Sequence, residues 1–304
     1  MDSREFWLEK RLRDLDPELH RLYTDAVVAL HRTLSGYLRI FPEYTDHSDT
    51  HALVVVQFCN EILDKRMMEQ MNADEIFVLL LGCYLHDIGM GITEDDFREF
   101  SAADETLAAL VEGEEIQDAV RKYHNEFSAC FIHKYAPLFD FPSDKHTYAI
   151  AQVARGHRKC DLFDEEDYPS ELTLDNGNTV CLPYLAALVR LADEVDVAAD
   201  RNSEIIYDVR IASTEKQAME FAKHAAIKKV TVKEDAFVLD IDCSDERVYR
   251  EVIKLFEKTQ ETLDYCVAVV EQRTPYEITQ KEIKIRETNN GKEISDGQTE
   301  RWNR

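Results

Sequence analysis

An adjacent histidine and aspartate, His86-Asp87, end an almost unbroken apolar run from Ile76 to Leu85, within the stretch DEIFVLLLGCYLHDIGMG. Burying a carboxylate beside an imidazole is costly unless something satisfies both. A divalent cation does so, and the negative end of a helix dipole favours it; the alternative is a capped, hydrogen-bonded core pair. Three further places hold residues of the same chemical type. His47 and His51 are four apart, and so share a face if both are helical. His124 is followed at some distance by His157, and Asp193 has Asp196 and Asp200 behind it at helical spacing. Asp193 lies among Leu185, Leu188, Val189, Leu191 and Ala192, where an acid without a partner is costly. It is therefore either a ligand or half of a salt bridge, with Arg190 available, and spacing alone leaves open whether Asp193 or Asp196 points inward.

The elements that must position these residues follow from periodicity. Ile76–Leu85 is too short to span a bilayer and suits a helix buried on most sides, with Asp74 as its cap and Gly89 and Gly91 as its stop. Before it, residues 4–38 carry helical apolar spacing with Asp16-Pro17 as a helix start, and a second apolar helix spans about 49–66. After it, Thr93 opens acidic helical stretches to about Val120, residues 121–139 and 148–157 continue as helix, and 183–201 forms a further helix with proline in its first turn. The character then changes. EIIYDVRI (204–211), IKKVTVK (227–233), AFVLDID (236–242) and YEITQKEIKIRE (276–287) alternate or are β-branched, with helical spacing at 214–226 and 245–273. The order β-α-β-β-α-β matches a ferredoxin-like module. The predicted architecture is thus a mainly α domain over residues 1–202, a small α+β module over 203–287, and a polar tail, without fixed structure, over 288–304.

Composition narrows the function classes. The chain has 304 residues, 36 basic and 61 acidic, for a formal net charge of −25. Such a field repels polyanions at long range, which disfavours duplex nucleic acid as a partner and leaves a single strand open. Acid is concentrated in Glu94–Asp118, with ten carboxylates and one arginine, and in Asp161–Asp175, with seven carboxylates; solvated faces and loops account for such runs. No apolar run is long enough for a transmembrane helix, and the charged N-terminal segment lacks a secretory core. Seven widely spaced cysteines without a CxxC pair imply reduced thiols in a cytoplasmic protein, and no membrane partner is expected.

Taken together, DHSDTHALVV around His51, LLLGCYLHDIGMG around His86-Asp87 and LVRLADEVD around Asp193 resemble the motifs of the HD-domain superfamily of metal-dependent phosphohydrolases. The resemblance covers about residues 45–200 and is most specific in the central motif. It implies an HD-domain helical bundle in which His51, His86, Asp87 and Asp193 hold one metal ion. The family's extra histidines, which in some branches hold a second ion or touch phosphate, are most similar to His124 (in RKYHNEFS) and His157 (in ARGHRK). His47 competes with His51 and is placed as a neighbour on the substrate side. The GYP-containing motif of the cyclic-di-GMP-degrading branch is absent, while the nucleotide-triphosphohydrolase and nuclease branches share the core motifs.

The chemistry so implied is hydrolysis of a phosphate ester, with a nucleotide as the favoured substrate and metal-bound hydroxide as the nucleophile. Asp87 and Asp193 would anchor the ion and orient water, with His124 completing the catalytic set. Mixed imidazole and carboxylate ligands suit one or two ions of Mn²⁺, Fe²⁺, Co²⁺, Ni²⁺ or Zn²⁺ better than Mg²⁺, which remains an option. Arg121, Arg158 and Lys159 flank the later histidines and are candidates for phosphate contacts, or else solvated cations. Two other readings stand beside this one. One is an HD-type nuclease on single strands. The other is a metal- or nucleotide-binding regulatory module without turnover, its α+β part serving as an assembly surface for a partner protein or a second copy.

Overall fold

The apolar run does form a buried rod, and most of the helices around it touch it. The computed structural model describes residues 6–34, 49–197, 214–289 and 292–293. The chain divides into two units, Met1–Asp193 with Ala268–Glu277, and Glu194–Val267 with Ile278–Arg304. In the first unit, α1 (Trp7–Leu15), α2 (Pro17–Leu34), α3 (Asp49–Ile62) and α4 (Lys65–Gln70) lead to α5 (Ala73–Leu85). Every residue of α5 from Asp74 to Leu85 is buried, and α1, α2, α3 and a later helix, α9 (Asp144–Arg155), pack around it.

The start of α5 differs from expectation. Asn72, not Asp74, is the N-cap: its side chain accepts from the Glu75 amide at 3.0 Å, and Glu75 reaches back to the Asn72 amide at 3.1 Å. Asp74 sits inside the first turn and is buried. It accepts from His146 Nε2 on α9 at 2.8 Å, from Asn176 at 3.1 Å and from Asn178 at 2.7 Å. These bonds hold its carboxyl below the usual range although burial by itself would raise it. His146 thus has an acid partner 72 residues away, which local spacing does not reveal. Glu75 is likewise satisfied, accepting from the Tyr276 hydroxyl at 2.8 Å, and Tyr276 stacks on Tyr184 with ring centroids 4.2 Å apart.

A 3₁₀ turn, Ile88–Gly91, follows α5, and α6 (Glu94–Ala103) and α7 (Glu105–Val111) lead into α8 (Ile116–Tyr135), which has non-helical backbone angles at Tyr123. Beneath α6 and α7 lies a satellite core that includes Phe100, Leu107, Val120 and Phe127. The acidic loop carries a small hairpin, β1 (Leu172–Thr173) and β2 (Thr179–Val180), before α10 (Leu182–Glu194). That helix is shorter than the expected 183–201: Asp196 lies beyond its end, and Asp200 lies outside the described residues. Among the described residues, no single helix is long and apolar enough to cross a membrane, and none of the seven cysteines forms a disulfide.

The second unit contains α11 (Glu215–Ala226), β3 (Ile227–Val232), β4 (Ala236–Ile241), most of α12 (Glu246–Arg273), β5 (Glu282–Asn289) and β6 (Lys292–Glu293), in sheet order β3-β4-β5-β6. β3 and β4 are antiparallel, but β4 and β5 pair directly and parallel, with Asp240 opposite Arg286. A split βαβ unit of the ferredoxin-like kind would place another strand between those two, so that detail of the expected module does not hold for this pair. The expected strand 204–211 lies outside the described residues. Only the second half of YEITQKEIKIRE is strand, because Tyr276 is committed to Glu75. Strand structure also continues to Asn289 and resumes at Lys292–Glu293, inside the stretch assigned to the polar tail.

Asp96 joins two of these elements. It belongs to the Thr93 capping box of α6 and accepts from Lys134 at 2.9 Å and Tyr135 at 2.8 Å on α8. Burial would raise its carboxyl, but the bonds from Thr93, Lys134 and Tyr135 prevail and hold it at about 2. A depressed acid stabilises fully above its unfolded value and loses that contribution as the pH falls through its folded value. Asp96→Asn is therefore expected to cost about 2 kcal/mol near neutral pH. Denaturant titrations should also show a shallower loss of stability between pH 4 and pH 2 in the variant than in the parent.

Candidate metal centre

Five segments of the first unit deliver six side chains to the C-terminal end of α5. His51 comes from the first turn of α3, His86 from the C-cap of α5, and Asp87 from the residue after it. His124 follows the irregular Tyr123 of α8, His157 follows the Gly156 C-cap of α9, and Asp193 lies in the last turn of α10. All are buried except Asp193, whose side chain is 26% exposed and forms the open edge of the cluster.

Their donor atoms fall into two sets, His51, His86 and Asp193, and Asp87, His124 and His157; within each set the atoms lie within 4.8 Å of one another. Asp87 faces both. Its Oδ2 is 3.5 Å from Nε2 of His51 and of His86, while its Oδ1 is 3.1 Å from His124 Nε2 and 3.6 Å from His157 Nε2. Asp193 Oδ1 lies 3.2 Å from His51 Nε2 and 3.6 Å from His86 Nε2.

The orientation of the rings follows from the backbone. Nδ1 of His86 meets the Cys83 carbonyl at 2.8 Å, His124 that of Arg121 at 2.9 Å, and His157 that of Ala154 at 2.6 Å. A carbonyl only accepts, so in each ring Nδ1 carries the proton and Nε2 of the neutral ring presents a lone pair to the cluster. His124 and His157 then face each other, Nε2 to Nε2, at 3.0 Å. Two acceptors at that distance repel unless a cation or an extra proton lies between them and the nearby carboxylate. His157 resists the proton: burial, with the His86 and His124 charges, pushes its pKa well below the usual value. For His86, burial lowers the pKa, but the charges of Asp87 and Asp193 outweigh it and raise it. Desolvation would raise the Asp193 carboxyl, but the nearby His51 and His86 imidazoles outweigh it and hold Asp193 well below the usual carboxylate range. Imidazole nitrogens and carboxylates converging in this way suit borderline divalent ions, so the donor set fits a metal.

Ser128, four residues after His124 on α8, locks the turn that carries Asp87. Its hydroxyl donates to the His86 carbonyl at 2.6 Å and accepts from the Gly89 amide at 2.9 Å. Gly89 acts here through close approach: a Cβ at that position would lie 2.2 Å from the His124 carbonyl oxygen and 2.6 Å from the Ser128 nitrogen. Ser128 carried no signal in the sequence beyond its helical offset from His124.

The other expected residues are distributed differently. Asp193, not Asp196, belongs to the cluster, and Arg190 donates to two backbone carbonyls, those of Gly156 and Cys160. Arg121 is exposed on α8 and contributes its carbonyl to His124, while Arg158 and Lys159 are exposed in the turn directly after His157. His47 lies outside the described residues.

A family model described as HD-CE matches residues 41–276, which include all six clustered side chains. No curated protein matches the chain.

Because Gly89 meets backbone on α8, Gly89→Ala is expected to cost ~3 kcal/mol of unfolding free energy, the upper end for an overpacked core. Gly82→Ala would meet a Val153 methyl at 2.6 Å, a side-chain contact where Gly89 meets backbone. Parallel denaturant titrations should therefore find Gly82→Ala the milder of the two.

Proposed function

The chain belongs to the HD-CE family, and on that premise we propose that it is a metal-dependent phosphohydrolase acting on a phosphate ester, with a nucleotide as the favoured substrate. The observation that carries this reading is the pair of buried donor sets facing a single carboxylate, Asp87. His51, His86 and Asp193 with Oδ2 of Asp87 would hold one ion, and His124 and His157 with Oδ1 a second. Mn²⁺, Fe²⁺, Co²⁺, Ni²⁺ and Zn²⁺ suit the imidazole-rich set. Such an ion, when bound, supplies a Lewis acid for a phosphoryl oxygen and lowers the pKa of water.

The chain's own residues supply the remainder. The three carbonyl contacts at Nδ1 fix ring orientation and tautomer, as the partners of metal-ligating histidines commonly do. Asp87 holds the two sets in one register. Asp193, at the open edge, would help to anchor the ion and orient the attacking water. The apolar walls of α5 and α10 exclude bulk water and strengthen the electrostatics at the site. With a net charge of −25 the long-range field repels a phosphorylated ligand, so local cations must receive it. Arg158, Lys159 and Arg121, which flank the clustered histidines in the chain, are the candidates, and His47 a further one. A small phosphoester suits this surface better than a long polyanion, and the α+β unit is a candidate contact for a partner or a second copy.

Elemental analysis of the purified protein, joined to a phosphate-release screen over nucleotides and other phosphoesters with added Mn²⁺, tests the reading. The expected result is bound divalent ion and metal-dependent release, with Asp87→Ala depleted of ion and its turnover reduced at least ~100-fold. Ion retained without turnover on any phosphoester would replace it with a regulatory role. Shortening of labelled single strands without phosphate release would replace it with a nuclease.

A further inference from the structure

The turn after α9 carries His157 and then two exposed cations, Arg158 and Lys159. Surface turns are usually the least constrained backbone of a fold, yet this one is held from two sides. From α10, Arg190 donates through Nε to the Gly156 carbonyl at 2.8 Å and through Nη2 to the Cys160 carbonyl at 2.7 Å. Those two carbonyls bracket His157, Arg158 and Lys159. From α8, Asn125, next in sequence to His124, donates through Nδ2 to the Arg158 carbonyl at 3.2 Å.

The close fit between the turn and α10 has a steric side too. A Cβ added at Gly156 would lie 2.6 Å from Ala186 Cβ, so the backbone approaches α10 as only glycine allows. Lys159 has φ +49°, a left-handed conformation that costs a non-glycine residue of order 1 kcal/mol and persists where the surroundings impose it.

We propose that Arg190 is a positioning residue for the second donor set. By fixing both ends of the turn it aims His157 Nε2 at His124 and Asp87, and so governs whether the second ion is retained, without touching that ion. This inference rests on reading the two donor sets as a metal centre. Arginine is suited to the task because its planar guanidinium offers two donors in a fixed fork, whereas a lysine ammonium is a single point donor. Arg190 and Asp193 are three apart on α10 and share a face. One helix therefore serves both sets, through Asp193 directly in the first and through Arg190 and His157 in the second.

The test is Mn²⁺ titration of the full chain, counting ions by elemental analysis and following the spin-coupled signal of a manganese pair by electron paramagnetic resonance. Parent protein is compared with Arg190→Lys, which keeps the charge and most of the volume, with Arg190→Gln, and with His157→Ala as the direct loss of the second set. The expected result is two ions in the parent. In Arg190→Lys the affinity for the second ion should fall ~10–100-fold, as for loss of a group supporting a metal ligand, with the first ion unaffected and the coupled signal lost as in His157→Ala. Arg190→Gln should show the same loss in larger measure. If the parent takes two ions and Arg190→Lys also takes two with equal affinity, the inference is overturned and the metal centre stands. Equal weakening of both ions in Arg190→Lys overturns it as well, since that marks general loosening. A parent that takes no ion overturns both this inference and the function on which it rests.

Discussion

Two imidazole nitrogens, each with its ring proton committed to a carbonyl, face one another at 3.0 Å beside a buried carboxylate. In water such an arrangement would separate. Inside the first unit it cannot, because each ring is held by the carbonyl three residues before it and by the packing of its own helix. Surrounding structure thus has to withstand local repulsion until a positive charge neutralises it. Much of the first unit can be understood as meeting that requirement: a rod buried on every side, a glycine that lets α8 touch the turn after it, and a serine bonded to both sides of that turn.

Burial and charge act together at this point. Carboxylates and imidazoles are expensive to place in an apolar interior, but their convergence gives a cation far more than any isolated residue could. The same proximity explains the opposed directions of the two histidine pKa values. Burial lowers both, but His86 lies between two carboxylates that raise it, whereas His157 faces mainly other imidazoles that lower it further. Asp74 shows the other way to satisfy a buried acid, with a histidine and two asparagines at the opposite end of the same helix. One rod therefore carries a closed polar network at its N-terminal end and a cation-seeking one at its C-terminal end.

The helices of the first unit and the motif on α5 were legible because their signals are local. An apolar run of helix length and a His-Asp pair at its end both lie within one stretch of chain. Errors arose where the deciding partner lay far away. Asp74 reads as a cap because aspartate suits that position, but Asn72 and Glu75 form the capping box and Asp74 turns to His146. The partner of Asp74, His146, comes from α9, 72 residues further along the chain. Tyr276 fitted an alternating strand pattern, but its hydroxyl is bound to Glu75, so the strand begins later. The sheet order was beyond reach for a similar reason, since parallel pairing of β4 with β5 depends on how a long helix returns the chain.

The sequence by itself determined which residues could bind a cation and that one of them ends a buried helix, because residue type and 3.6-residue periodicity are written into the chain. It left Asp193 and Asp196 equivalent, and Arg190 as a prospective ion-pair partner. Only the tertiary structure separated them, since where α10 ends, and what its last turn faces, depend on the segments packed around it. Shared use of Asp87 by two histidine pairs belongs to the same category: a bridging carboxylate is defined by distances between segments, and no spacing along a chain encodes those.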